Sequence, residues 1–421
     1  MVVSRRVWVI SEVYYPEEAA TGYFMTRLAE GLAEHRDVGV LCGQPKYDAR
    51  GVSAPWREVL NGVSIERCRG TRLNKNILPL RLVNVATITL SIFFAVLRRI
   101  RKGDTVVVVT NPPLLPFVVA PACRWRGAKC ILRIDDVYPE ALIATGIARP
   151  GSVLVQILTW VNRRLYRGVD RIVVLGRDMR NLAQKKLGGA AVPVAIIHNW
   201  ADVDLIAPAP KSENALLREL GLAEKFVVAC AGNMGRAQGI ENMFRVAELL
   251  QGEKDIHFLF IGSGAKRPWM ESEVVGKTLT NVTILDQRPR SDQPNFLNAC
   301  DVSMASLLPG MAGAGVPSRM YNTMAAGKPI IAIAEAESEL SMVVEEELAG
   351  WVVPPNKPEK LAQAILDARS EPGRLAGRGA RARAAVEAKY TARHAIDAYY
   401  ELVKAIDGAA EPAPSVAAPK G

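Results

Sequence analysis

Short aliphatic runs alternate along the chain with longer segments in which apolar residues recur at helical spacing. Each run is followed by a turn and is almost entirely apolar, as expected of a strand that is buried on both faces of a parallel sheet. The alternation predicts successive βαβ units and therefore an α/β fold. The predicted strands are 7–11, 38–42, 105–110, 129–134, 171–176, 194–199, 225–232, 256–262, 282–286, 301–307 and 328–334.

A break in this rhythm divides the predicted strands into two groups. The segment 200–215 carries a Pro-Ala-Pro sequence, followed by Ser212, a residue suited to begin a helix. The sequence therefore predicts two Rossmann-like doubly wound domains, residues 1–200 and 201–385.

The C-terminal part of the chain is rich in alanine and arginine. A last helix is predicted from about Ala376 to Ile406. The segment after it, 408–421, is low in complexity and is predicted to be disordered.

Composition narrows the class of protein. The 421 residues are 49% hydrophobic, which supplies more than one core and excludes disorder as the main state. Six cysteines without a CxxC pair and only four histidines argue against a disulfide scaffold or a dense Cys/His metal site, and they favour reduced cytoplasmic thiols. The N-terminus lacks a long apolar region and a cleavage site, so no signal peptide is predicted.

Charge is distributed unequally between the two halves. Residues 1–200 carry 29 Lys and Arg against 15 Asp and Glu, whereas residues 201–421 carry 24 against 28. A basic half suits nucleic acid, a membrane surface or a phosphorylated substrate. Because no RNP, zinc-finger or basic-zipper pattern is present, nucleic acid is not among the predicted partners.

The segment 82–102 has two interpretations. Its apolar stretch is shorter than the roughly 20 residues that a membrane-spanning helix needs, so spanning is not predicted. Apolar residues at helical spacing followed by four cations fit a helix lying in the membrane interface, and they fit equally a buried crossover helix with a solvated basic end. The candidate membrane-contact residues are Phe93, Phe94, Arg98, Arg99, Arg101 and Lys102.

Glycines follow several predicted strands where a helix begins. Gly22 is placed to let a helix N-terminus receive a diphosphate or a sugar hydroxyl, although an ordinary βα turn explains it as well. Gly232, Gly235 and Gly239 form a second glycine-rich turn, which lacks the G-x-G-x-x-G fingerprint, so NAD is not a predicted ligand.

Cations accompany these turns. Arg236 in the second turn can pair with phosphate oxygens or remain a solvated loop residue. Lys266 follows a third strand and its glycine turn, repeating the pattern.

The segment 315–334 predicts a helix that starts near Ser318 and ends at Gly327, followed by a buried strand. Ser318, Arg319 and Asn322 then lie within the first turns of that helix. They are candidates to hold a diphosphate and a ribose, with plain N-capping and surface contact as the alternative.

Eight segments occur in an order that resembles the family 4 glycosyltransferases of the GT-B fold, in the branch that builds bacterial exopolysaccharide and O-antigen units on a polyprenyl lipid. They are YYPEE, TNPPLLP, IDDVYPEALIATG, RIVVLGRDM, HNWADVD, GNMGRAQGIENM, FIGSGAKR and VPSRMYNTMAAGKPIIA.

The resemblance implies two Rossmann-like domains facing a cleft, with a C-terminal helix, 386–407, crossing back to the N-terminal domain. It implies a retaining transfer from a nucleotide-sugar, UDP-linked in many relatives, to a saccharide on polyprenyl diphosphate. The C-terminal domain would hold the donor and the N-terminal domain the acceptor. No metal or cofactor would be required, and the protein would be cytoplasmic and peripheral at the inner face of the plasma membrane.

Several family residues are replaced in this chain. Both glutamates of the E-x7-E element are absent, and Asn322 stands at the second, so it would hold the ribose. The usual Arg and Lys of the phosphate loop fall on Asn233 and Gln238, which makes Arg236 and Arg319 the expected replacement cations.

The His-Asp pair of many relatives is Asp135-Asp136 here. One of these carboxylates is expected to orient the sugar or accept the acceptor proton. Helix capping is the alternative for Asp136.

Three other functions are compatible with the sequence. A non-hydrolysing nucleotide-sugar epimerase shares the layout. An NAD-dependent dehydrogenase lacks its fingerprint, and a non-catalytic nucleotide-sugar-binding protein at the membrane would explain the missing glutamates.

Overall fold

A computed structural model describes residues 5–46, 53–73 and 77–408. The chain forms two compact units. The first contains residues up to Arg133, Gly168–Arg171 and residues from Arg393 onward. The second contains Ile134–Arg167 and Ile172–Ala392. The predicted domain limits at 200 and 385 stay predictions.

The first unit contains six strands in the order β3-β4-β2-β1-β5-β6. β3 pairs antiparallel with β4, and the other pairs among these strands are parallel. β1, β2 and β5 are buried along their whole length, which explains why their sequences are almost entirely apolar. The strands are β1 Val7–Ile10, β2 Val38–Cys42, β3 Arg57–Leu60, β4 Val63–Arg67, β5 Thr105–Val109 and β6 Lys129–Ile134.

The hairpin of β3 and β4 was not predicted from the sequence. Its strands are short and alternate between buried or half-buried and more exposed residues, so they lack the continuous apolar run used to find the others. Asn61 and Gly62 form its turn, both with positive φ (48° and 77°). An Asn-Gly pair of this kind is a strong hairpin signal.

Three helices of the first unit are α1 Ala20–Ala33, α2 Leu78–Arg99 and α3 Leu115–Arg126. α2 begins four residues before the predicted segment 82–102. Its stretch Pro79–Arg99 is long and apolar enough to cross a membrane by length and composition, with a mean hydropathy of 2.0 and 33% of the residues in the window buried.

The second unit contains a parallel pair, β7 and β8, and a six-stranded parallel sheet in the order β11-β10-β9-β12-β13-β14. The strands are β7 Arg171–Val174, β8 Val194–Ile196, β9 Phe226–Ala231, β10 Ile256–Ile261, β11 Val282–Leu285, β12 Val302–Ser306, β13 Ile330–Ile333 and β14 Gly350–Val353. The strand order reverses between β9 and β12. In a doubly wound sheet, ligands bind at the carboxyl ends of the strands at this point.

Both faces of this sheet are packed with apolar side chains. Val227 and Ala229 face one core, and Val228 and Cys230 face the other. The helices of the second unit are α4 Glu140–Ala144, α5 Val153–Arg167, α6 Arg177–Leu187, α7 Ala215–Glu219, α8 Ile240–Leu249, α9 Arg267–Gly276, α10 Gln293–Asn298, α11 Arg319–Ala325, α12 Glu339–Glu346, α13 Pro358–Ser370 and α14 Pro372–Lys389.

Two predicted helix positions were wrong. Ser212 is not the N-cap of a helix; it lies inside the 3₁₀ turn Lys211–Glu213, and Asn214 caps α7 by accepting a hydrogen bond from the backbone of Leu217. The single helix predicted from Ala376 to Ile406 is interrupted before Thr391, which pairs instead with Ala201 in an isolated bridge.

The last helix, α15 Ala392–Gly408, belongs to the first unit. A side chain at Gly31 would lie 2.5 Å from Ile396, so α1 and α15 pack closely. Asp407 pairs with Arg36 at 2.9 Å. The return of the chain to its first unit and the two α/β units with parallel sheets confirm the predicted fold class. Apart from Gly408, the predicted disordered tail lies outside the described residues.

Candidate active site

The loops after β9 and β10 are in direct backbone contact. A Cβ atom on Gly262 would lie 1.9 Å from the carbonyl oxygen of Gly232, and one on Gly264 would lie 2.4 Å from that of Met234. Gly232, Gly262 and Gly264 have φ of 118°, 152° and 154°, a region that favours glycine. Met234 donates its backbone N–H to Ser263 at 2.8 Å. The glycines therefore join the two loops into one rim at the carboxyl ends of the strands.

Arg319, the first residue of α11, lies against this rim. Its Nη2 donates to the backbone oxygen of Asn233 at 2.8 Å, and its Cζ would lie 3.6 Å from a Cβ on Gly232. The structure therefore brings together three residues that the sequence predicted for the donor site. A guanidinium has five N–H donors, so a bond to Asn233 leaves others able to bind an anion.

A cavity of about 280 Å³ opens beside the same loops. Arg236 and Lys266, both predicted, line it. Lys266 donates to Glu241, and its Nζ lies 5.7 Å from the ring of Trp269. The lining residues are Thr145, Arg236, Gly239, Glu241, Asn242, Lys266, Leu308 and Asn356.

Gly239 precedes α8 at the edge of this cavity. Its φ is 54°, and a Cβ there would lie 3.3 Å from Oγ of Ser306. The N-terminus of α8 therefore adds its partial positive charge to two cations. This combination suits a ligand that carries a diphosphate.

Asn242 lines the cavity and was not predicted. Its Nδ2 is buried and has no hydrogen-bond partner within the part of the chain that the structure describes. A buried amide N–H without an acceptor is unfavourable, so a ligand acceptor at this position would be stabilised.

The side chains at Asn233 and Gln238 approach each other across Gly235. A Cβ on Gly235 would lie 3.0 Å from Nδ2 of Asn233 and 3.1 Å from Oε1 of Gln238. These neutral amides occupy the positions at which the resemblance expected Arg and Lys. The cations at the site are therefore supplied from other positions, by Arg236 in the same loop and by Lys266 and Arg319 from other segments.

Ser318 and Asn322 flank the start of α11. Ser318 is at the N-cap position but makes no capping hydrogen bond, because its backbone is already helical (φ −60°, ψ −21°). Oδ1 of Asn322 is buried and has no partner among the described residues. A ribose hydroxyl is the type of donor that would satisfy this oxygen.

Asp135 and Asp136 follow β6 directly. Asp136 forms an isolated antiparallel bridge with Gly315, and Val137 donates its backbone N–H to Ala314 at 2.8 Å. The two carboxylates are thereby tied to the segment that leads into α11. The adjacent helix α4 has Pro139 at its N-cap and no side-chain cap, so helix capping is not the role of Asp136.

The protonation of Asp136 is perturbed. The residue is exposed by surface area, but nearby protein partly desolvates its carboxyl, and the negative charge of Asp135 is close. Desolvation first and this charge second raise the pKa of Asp136 to about 6. A carboxylate with such a pKa is ionised at neutral pH and accepts protons more readily than an ordinary aspartate.

Gly22 is the one predicted donor-site residue that belongs to the first unit. It lies at the start of α1 in the first unit. A Cβ there would lie 2.6 Å from the carbonyl oxygen of Glu17, so the position requires glycine for packing.

The predicted membrane-contact residues lie on α2 and in the turn that follows it. Phe94 is exposed, and Phe93 is half-buried. Arg99 pairs with Glu66 at 2.8 Å, while Arg98, Arg101 and Lys102 are exposed.

The two interpretations of this segment describe opposite faces of one helix. Ile88, Ile92 and Val96 are buried in the first unit, whereas Leu90 and Phe94 are exposed. Contact with a membrane stays a prediction.

Two family sequence models match the chain. One, described as glycosyl transferases group 1, covers residues 225–370. The other, described as a glycosyl transferase 4-like domain, covers residues 20–200.

Individual proteins are similar over most of the chain. The probable glycosyltransferase WbjE of Pseudomonas aeruginosa is 33% identical over 363 residues, 86% of this chain and 88% of that protein. The putative colanic acid biosynthesis glycosyl transferase WcaI of Escherichia coli K12 is 27% identical over 79% of this chain and 84% of that protein. The structure of Anabaena Alr3699/HepE in complex with UDP-glucose matches with a TM-score of 0.69 at 15% identity, covering 95% of this chain and 99% of that one.

Proposed function

The chain belongs to the group 1 glycosyltransferases, and from that premise we propose that it transfers a sugar from a UDP-sugar to a saccharide on polyprenyl diphosphate. The reaction would be a step in the biosynthesis of a bacterial surface polysaccharide. The relative WcaI carries colanic acid biosynthesis in its name, and HepE has been crystallised with UDP-glucose, which supports this class of donor and pathway.

The observation that carries the proposal is the cation-lined cavity at the strand-order reversal. Arg236, Lys266 and the N-terminus of α8 border it, and Arg319 lies on the adjoining glycine rim. A nucleoside diphosphate presents two phosphates to such a site. Lys266 then exchanges its bond to Glu241 for a phosphate oxygen.

The same groups act on the transition state. When the bond between the anomeric carbon and the diphosphate oxygen breaks, negative charge develops on the leaving diphosphate. Fixed cations and helix dipoles stabilise that charge more strongly than they stabilise the intact donor. Asn322, with its unpartnered Oδ1, accepts a hydrogen bond from the ribose.

Asp136 is the proposed proton acceptor. The acceptor hydroxyl forms a new bond to the anomeric carbon on the face that the diphosphate leaves, and so the configuration is retained. Its proton passes to the carboxylate, whose pKa of about 6 makes it a suitable base. Desolvation first and the charge of Asp135 second keep that pKa raised.

The acceptor's lipid determines where the reaction occurs. A polyprenyl diphosphate is confined to the bilayer, so we place the protein on the cytoplasmic face of the plasma membrane. The exposed apolar residues of α2, Leu82, Leu90 and Phe94, and the cations that follow support this location.

A nucleotide panel tests the function. UDP, GDP, ADP and dTDP are titrated into the full chain by calorimetry, and the tightest binder is then supplied as its sugar conjugates with lipid-linked saccharides, with and without a metal chelator. We expect one nucleoside diphosphate to bind. In the turnover experiment, its release from the sugar conjugate should require the acceptor, and the chelator should have no effect on that release. Absence of binding to every diphosphate at millimolar concentration contradicts the proposal, and release of an epimerised free sugar without acceptor supports an epimerase instead.

A further inference from the structure

Helix α5 carries an apolar stripe that the described part of the chain leaves uncovered. Val153, Leu154, Ile157 and Trp160 are 72%, 54%, 55% and 62% exposed. Positions 153, 157 and 160 are spaced by four and three residues, so they lie on one face of the helix.

The opposite face of α5 fixes the helix to the second unit. Val155, Leu165 and Tyr166 are buried there. The helix is therefore held by its own packing with the apolar stripe turned toward solvent. Scattered exposed apolar residues are normal on protein surfaces, but a continuous stripe of four indicates a binding surface.

Arginine residues follow the apolar stripe at the C-terminal end of α5. Residues 141–169 contain four arginines and no Asp, Glu or Lys. Arg163 and Arg164 are exposed at the C-terminal end of α5, and the guanidinium of Arg164 lies 5.9 Å from the centre of the Trp160 ring. Arg167 follows them, but its guanidinium donates to the backbone oxygen of Leu187.

We propose that this stripe, Val153, Leu154, Ile157 and Trp160 with Arg163 and Arg164, docks on a lipid bilayer that contains anionic phospholipids. At 1.5 Å per residue, the 15-residue helix is about 22 Å long, too short to span the roughly 30 Å hydrocarbon core. It lies in the plane of the interface, with its apolar side chains among the acyl chains and its arginines among the lipid phosphates. Tryptophan is enriched at this depth.

A lipid surface fits this face better than a second copy of the chain. In a two-fold dimer the same face contributes both sides of the interface. The segment 141–169 that carries the stripe contains no carboxylate to pair with the arginines of a second copy, whereas anionic head groups supply negative charge. The inference rests on the proposed function only in that a lipid-linked acceptor gives the enzyme a reason to reach the bilayer.

Vesicle flotation of the full chain tests the inference. The apolar variant is Ile157→Ser with Trp160→Ser, and the charge variant is Arg163→Gln with Arg164→Gln. Leu249→Ser with Val275→Ser is the matched control, since both residues are exposed apolar positions of the same unit, 48% and 80%.

With vesicles of phosphatidylglycerol and phosphatidylcholine, we expect the affinity of the apolar variant to fall by about tenfold or more at both low and high salt. The charge variant should lose binding mainly at low salt, because screening already removes its contribution at high salt. The control should bind like the parent. All the altered residues are exposed, so melting temperatures should match.

A second readout locates Trp160 directly. Brominated phospholipids quench tryptophan fluorescence at the bilayer, and Trp160→Phe should remove most of the quenched component while keeping vesicle binding.

Parent-like flotation of the apolar variant, or quenching that Trp160→Phe leaves unchanged, overturns the inference. A change in the oligomeric state of the apolar variant by light scattering, with flotation intact, assigns the stripe to a contact between copies.

Transfer to a short-chain, water-soluble acceptor separates this inference from the proposed function. The apolar variant should keep that activity. If the parent shows no transfer to any acceptor but still docks on vesicles through α5, the proposed function fails and the docking surface stands.

Discussion

Replacing Arg319 by alanine removes a cation that lies against the glycine rim. Its guanidinium is held by a 2.8 Å hydrogen bond to the backbone of Asn233 and lies close to Gly232. The side chain is half-buried, so its remaining N–H groups face both protein and solvent. A diphosphate bound at the rim would be within reach of those groups.

The magnitude follows from the type of bond that is lost. Hydrogen bonds to charged groups contribute about 1.5–3 kcal/mol. Because solvent still screens one side of Arg319, we expect the lower part of that range. At about 1.4 kcal/mol per tenfold change in affinity, Arg319→Ala should raise the Kd for the nucleoside diphosphate roughly tenfold. Arg319→Lys should have an intermediate effect, because it keeps the charge without the planar fork.

Calorimetry with the diphosphate and with the corresponding nucleoside measures the effect. Arg319→Ala should weaken the diphosphate and leave the nucleoside unchanged, because only the phosphates need the cation. Arg245→Ala, at an exposed arginine on α8, is the matched control and should leave both affinities unchanged. Equal losses for nucleoside and diphosphate would show a distorted loop, and an unchanged diphosphate affinity would refute the role of Arg319.

Three further predictions concern other parts of the molecule. Asp136→Asn should lower turnover at least a hundredfold and remove the rise of the parent's kcat near pH 6. Because the pKa of the carboxyl is raised in the folded protein, its ionisation destabilises the fold as pH increases, and the melting temperature of the variant at pH 7 should not fall. A large fall would indicate a structural role for Asp136. Gly262→Ala should lower both the melting temperature and diphosphate affinity, because its Cβ would lie 1.9 Å from the oxygen of Gly232, and parent-like values for both would contradict the close contact of the loops. Leu90→Ser with Phe94→Ser should weaken flotation on anionic vesicles without changing the circular dichroism spectrum, and unchanged flotation would restrict α2 to its role in the first unit.

The sequence predicted strands well where burial is complete. β1, β5 and β10 are buried along their whole length, and their aliphatic runs are unmistakable. β14 was missed because it is short and partly exposed. It begins at Gly350, where a Cβ would lie 1.7 Å from the oxygen of Ile330, so the glycine that suggests a break permits a strand to pair.

The candidate site was predictable only where its residues are close in sequence. Glycine turns after strands indicated Gly232, Arg236 and Lys266, because a phosphate cradle is a local motif. Thr145 and Asn356 line the same cavity but lie far from Arg236 along the chain. Only the folding of the second unit brings them there, and a pattern read over a dozen residues contains no such information.

Helices α2 and α5 show a related limit of hydrophobic periodicity. The period tells which residues share a face, but it does not tell whether protein covers that face. On α2, Ile88 and Ile92 are buried while Leu90 is exposed; on α5, the apolar residues Ile157 and Trp160 are on the exposed side. From sequence alone, α5 has the pattern of an ordinary core helix. Val155, Leu165 and Tyr166 are its buried contacts, while Ile157 and Trp160 lie in solvent beside the exposed Arg163 and Arg164, and this apolar and basic surface is what an anionic bilayer would cover.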